Sequence, residues 1–82
     1  MAWTATITSV EYQSPTYNCV VMMKKNNVET SEEMMYIENT RNIDYVTNEM
    51  RNMIKSKEEA ESLGAELNDM IGTAIKPQQA QP

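Results

Sequence analysis

Trp3-Thr4-Ala5-Thr6-Ile7-Thr8-Ser9-Val10-Glu11-Tyr12 is the stretch on which the fold turns. Trp3, Ala5 and Ile7 alternate with threonines, the period of a strand with one apolar face. Val10 and Tyr12 continue the apolar series on even numbers. A two-residue period changes phase only by gaining a residue, so a β-bulge is expected near Thr8-Ser9. Ser14-Pro15 then makes a turn, because proline presets the backbone angle a tight turn needs. A second strand follows from Tyr17 to about Lys25. Asn26-Asn27 makes a second turn, since asparagine tolerates the positive φ of two-residue hairpin loops. A third strand runs from Val28 to about Glu38.

The two loops fix a register. The first pairs Tyr12 with Tyr17 and Val10 with Cys19, and past the bulge Ile7 is expected opposite Met23. The second pairs Cys19 with Met34, Tyr17 with Tyr36, and Lys24 with Glu29, a favourable cross-strand ion pair. One face then collects Trp3, Ala5, Ile7, Val10, Tyr12, Tyr17, Cys19, Val21, Met23, Met34 and Tyr36. Val20, Met22, Met35 and Ile37 are left as a smaller apolar patch on the other face, a candidate second contact surface.

From Asn42 onward the period becomes helical. Asn42 is a good N-cap and Asp44 suits the first turn. The apolar positions run Ile43, Val46, Met50, Met53, Ile54, Ala60, Leu63, Leu67, Met70, Ile71, Ala74 and Ile75. Lys57 and Gly64 interrupt one of the two heptad seams, and Gly64 is a point where the helix could kink or end. Pro77 bounds it. The predicted fold is therefore α+β: a three-stranded antiparallel β-meander followed by one long amphipathic C-terminal helix. It forms one domain over residues 1–76, with a flexible polar tail at 77–82. A helix from 42 to 72 is ~46 Å long at 1.5 Å per residue, against ~27 Å for an eight-residue strand. Ile43, Val46, Met50 and Met53 are expected to cover the sheet. Leu63, Leu67, Met70 and Ile71 lie beyond its reach and are the candidate protein interface, on a neighbouring copy or another component.

Composition narrows the function. The 82 residues carry twelve acidic and seven basic side chains, a formal charge of −5, with one cysteine and no histidine. A domain this small has a marginal core and commonly needs a disulfide, a metal or a partner. A lone Cys19 makes no internal disulfide, and without histidine a zinc site is not expected. The commonest general base is missing, and a Cys19 nucleophile would lack an imidazole partner. We therefore expect no catalytic residues, no cofactor and no metal. Lys24-Lys25 is the densest basic pair, so no direct nucleic-acid contact is expected. No apolar run is long enough for a membrane span. The opening Met1-Ala2-Trp3-Thr4 lacks signal-peptide features, and the unpaired cysteine suits a reducing cytoplasm. Glu58, Glu59 and Glu61, beside Lys55 and Lys57, read as a solvated helix face. Eight methionines and no phenylalanine fit either a loosely specified core or an adaptable contact surface.

The segment Trp3 to Val10, Tyr36 at the end of the third strand, and the helix from Val46 to Ile54 with Arg51 resemble small proteins of the structural-gene modules of tailed bacteriophages and prophages. The likeness covers roughly residues 3–63 and lies in composition and order. Asn26-Asn27 stands where that family usually has a glycine-containing turn, and the methionine pairs 22-23 and 34-35 depart from it. What the resemblance implies is a virion structural or assembly component, made in the host cytoplasm and present in many copies as a homo-oligomer or with other virion proteins. The alternative from another class is a small acidic module that binds and inhibits a host protein, which requires Glu32, Glu33, Glu58, Glu59, Glu61 and Glu66 to gather on one surface. A subunit completing an enzyme site in trans is a third, weaker reading.

Overall fold

A computed structural model describes residues 2–78. It contains β1 (Trp3–Gln13), β2 (Thr16–Lys25), β3 (Val28–Glu38) and α1 (Ile43–Asp69). The strands form one antiparallel sheet in the order β1-β2-β3, and α1 packs across one face, closest to β1. Residues 79–82 of the expected polar tail lie outside the described residues.

The first hairpin carries the bulge read from the phase change. Val10 pairs with Cys19 and Tyr12 with Tyr17, and the register shifts between Ile7 and Ser9, leaving Thr8 as the extra residue. The Thr8 hydroxyl donates to the Val20 carbonyl. One extra residue displaces the pairing by one, so Ile7 sits opposite Val21, and Ala5 opposite Met23. The expected Ile7–Met23 pair is corrected accordingly.

The second hairpin turns where expected, with φ of 52° at Asn26 and 66° at Asn27. Lys24 pairs with Glu29. A second bulge follows at once: Met23 pairs with Ser31, and Thr30 is left over. A one-residue slip sends every later side chain of a strand to the opposite face. Cys19 consequently pairs with Met35, and Tyr17 with Ile37, in place of Met34 and Tyr36. The buried core is Trp3, Cys19, Val21, Met23, Met35 and Ile37. Met34 and Tyr36 point outward, where with Val20 and Met22 they make up the apolar patch of the open face.

Asn42 caps α1, its side-chain oxygen accepting from the Tyr45 N–H at 3.0 Å. The helix is continuous through Gly64, with no kink or break assigned there, and ends at Asp69 with Met70 as its C-cap. Its last carbonyls accept from Met70, Ile71 and Thr73 N–H groups, and Gly72 takes the positive φ (85°) that a helix exit favours. No residue of α1 is fully buried. Tyr45, Val46, Met50, Met53 and Ile54 are half-buried against the core. Ile43, expected among them, is 72% exposed. It stands over a shallow hollow of about 250 Å³, shared with Ile7, Val10, Tyr17 and Val46, so Val10 and Tyr17 also stay exposed on the core face.

The bulge at Thr30 makes neighbouring methionines unequal: Met35 is 6% exposed and Met34 is 50% exposed. Met35→Asp should cost at least about 3 kcal/mol by burying an uncompensated carboxylate. Met34→Asp should stay within about 1 kcal/mol of wild type. Urea titrations of the two variants check this, and equal midpoints would reverse the face assignment.

Candidate functional site

The helix is held to the sheet by a stripe in which two charged residues stand among apolar ones. Val46, Met50, Met53, Lys57 and Glu61 follow one another at spacings of three and four, and at about 100° per residue they share one face. Lys57 pairs with Glu33 of β3 and its ammonium lies 5.9 Å from the Trp3 ring centroid. Glu61 accepts from the Trp3 indole N–H at 2.7 Å through one carboxylate oxygen, and pairs with Lys25 through the other. Hydrogen bonding from Lys25, then from Trp3, holds the Glu61 carboxyl below its ordinary value of 4.5. Hydrogen bonding from Lys57 chiefly, with Ser31 adding to it, lowers Glu33 in the same direction. These clamps were not foreseen, because Lys57 read as an interruption and Glu61 as solvated. Their position on the sheet-facing stripe was the available signal.

Glu61 is the last helical residue with a bond to the sheet among the described residues. Beyond it Leu63, Leu67, Met70 and Ile71 are between 45% and 79% exposed. With Ala60, the helical residues Leu63 and Leu67 and the C-cap Met70 form an apolar ridge, roughly a quarter-turn round the helix from the sheet-facing stripe at about 100° per residue, and Ile71 follows in the turn past the helix end. The ridge is a seam separate from the sheet-facing stripe.

The chemistry available elsewhere is sparse. Cys19 is buried at 4% exposure, its thiol 3.9 Å from the Tyr17 carbonyl. Among the described residues no group of three or more Cys, Asp or Glu side chains is placed to hold a metal ion. No described helix is long and apolar enough to cross a membrane. The six acids named for a mimicry surface are divided: Glu33 and Glu61 are engaged by lysines, and Glu32 pairs with Met22 on the sheet. Arg41 stacks on Tyr45 at 4.5 Å and pairs with Glu38 at 3.5 Å.

The chain matches no protein-family model, no curated protein and no solved structure.

The two lowered carboxyls give the docking of α1 a pH dependence of defined sign. A carboxyl with a depressed folded-state pKa stabilises above its unfolded value, and the contribution is lost as pH falls through the folded value. Helix docking should therefore be constant at neutral pH and weaken below the ordinary carboxylate value of 4.5. Fluorescence of Trp3 followed through an acid titration measures it, and Glu61→Gln should flatten the response.

Proposed function

We propose that this chain is a non-enzymatic assembly component that acts by packing against other protein. The observation that carries the reading is the ridge of Leu63, Leu67, Met70 and Ile71, exposed beyond the last sheet contact. Large apolar side chains scattered singly on a surface need no explanation, but a contiguous row does. Fully burying one such side chain is worth about 1.5–3 kcal/mol. These four are already partly covered by their own helix, so together they offer roughly 5 kcal/mol. Association costs about 4–15 kcal/mol in lost freedom. One ridge alone offsets only the low end of that cost. The reading therefore includes either a second ridge or a second surface, and the open-face patch of Val20, Met22, Met34 and Tyr36 is available for the latter.

The resemblance to phage structural-module proteins supplies the setting: a virion component made in the host cytoplasm and used in repeated copies. The rival reading, an acidic inhibitor of a host protein, has less support, because two of its six acids are occupied by intramolecular ion pairs.

The double variant Leu67→Asp, Ile71→Asp should keep the sheet, the Trp3–Glu61 contact and the helix start, yet lose assembly. Sedimentation of wild type and variant, with circular dichroism to confirm folding, provides the test. A wild type that remains monomeric at high micromolar concentration rejects self-assembly.

A further inference from the structure

We propose that Tyr12 and Tyr17 form an oxidative modification site: a peroxide-driven one-electron oxidant joins their rings by a carbon–carbon bond within one chain. The inference stands apart from the assembly reading and draws on the other end of the molecule.

Register brings the two rings together. Tyr12 and Tyr17 pair directly across the β1–β2 hairpin, on either side of the Ser14-Pro15 turn. Their ring centroids are 4.6 Å apart, with the planes inclined at 41°. That is the near end of the roughly 4.5–7 Å range over which aromatic pairs are found. The hydroxyl end of Tyr12 is held as well. The Asn39 side-chain N–H donates to that oxygen at 3.0 Å, and the Asn39 backbone N–H donates to the Pro15 carbonyl at 2.9 Å. Asn39 thus ties the Tyr12 ring to the turn that sets Tyr17 opposite it.

The pair is also within reach of solvent. The helix leaves this end of the sheet uncovered, and Tyr12 is 49% and Tyr17 42% exposed. The other two tyrosines each lack a condition. Tyr36 is exposed but stands on the opposite face of the sheet. Tyr45 lies beneath the Arg41 guanidinium at 4.5 Å, and a cation over a ring face opposes the loss of an electron from it. Trp3, the remaining oxidisable ring, is buried with its indole N–H bound to Glu61.

The chemistry balances as follows. Each phenol gives one electron to the oxidant and its hydroxyl proton to water. The unpaired electron of the phenoxyl radical is shared with the ring carbons beside the oxygen. One such carbon from each ring forms the new bond, and the hydrogens these carbons carried move to the oxygens, restoring two phenols. One hydrogen peroxide takes up both electrons and both protons and becomes two waters, so the chain loses two hydrogen atoms. Two groups held in one fold meet at an effective concentration on the order of millimolar or more, so at micromolar protein the intrachain link should outrun links between chains roughly a thousandfold. The product is a covalent tie between β1 and β2, in a small domain whose single cysteine makes no internal disulfide.

The test treats the full-length chain, at micromolar concentration, with peroxidase and hydrogen peroxide. The expected product is a single chain two hydrogen atoms lighter that carries dityrosine fluorescence. Sulfoxide at an exposed methionine adds oxygen and is told apart by mass. In tandem mass spectrometry, backbone fragments from cleavage between positions 12 and 17 should be missing. The yield per chain should hold on dilution by about tenfold. Tyr12→Phe and Tyr17→Phe, which keep a ring at each position, should each abolish the link, whereas Tyr36→Phe and Tyr45→Phe should retain it. A link that survives in either of the first two variants overturns the assignment, as does a wild type that joins only between chains. A wild type without a 12–17 link, in a mixture where N-acetyltyrosine dimerises, overturns it as well.

Discussion

The carboxylate of Glu61, gripped by Trp3 at the start of β1 and Lys25 at the end of β2, marks the end of the helix's attachment to the sheet. Below that point α1 is held by half-buried Val46, Met50, Met53 and Ile54 and by the Lys57–Glu33 pair. Above it the helix holds its shape through its own backbone bonds alone. Isolated helices of that length are marginal in water. The docked part nucleates the free part, so the same contact that ends the shelter also keeps the exposed turns helical.

The core beneath is small: six buried side chains, two of them methionine. Its composition is decided by two extra residues. Thr8 in β1 and Thr30 in β3 each add one residue to an outer strand and none to β2. The central strand keeps a strict alternation, with Cys19, Val21 and Met23 inward, while each neighbour changes phase once. Bulges in edge strands also raise local twist and make the edges poorer templates for unwanted pairing.

The two bulges were unequally visible in the sequence, for a physical reason. In β1 apolar residues stand on both sides of the phase change, at Ile7 and at Val10, so the break shows. In β3 the run Glu29-Thr30-Ser31-Glu32-Glu33 has no apolar residue to declare a face. The doublets Met34-Met35 and Tyr36-Ile37 then fit either phase. Turn chemistry alone favours the phase that puts Met34 and Tyr36 in the core, and the bulge at Thr30 reverses it. The order of elements, the Asn42 cap and the three-and-four spacing of the ridge were legible because each depends on residues close in the chain. The clamps from Trp3 to Glu61 and from Glu33 to Lys57 join residues far apart. Nothing local distinguishes such a glutamate or lysine from a solvated one. That the ridge is a seam separate from the sheet-facing stripe became apparent only once the clamps fixed which side of the helix meets the sheet.

The unequal burial of the methionines gives the protein a chemical asymmetry under oxidising conditions. Thioether sulfur is converted to sulfoxide where it can be reached, turning an apolar side chain into a polar, chiral one. Met23 and Met35 are sealed within the core, whereas Met34 on the open face and Met70 on the ridge are about half exposed. Peroxide would therefore polarise the adhesive surfaces first and leave the fold standing. Reductases that repair sulfoxides could then reverse the change without the chain having to unfold.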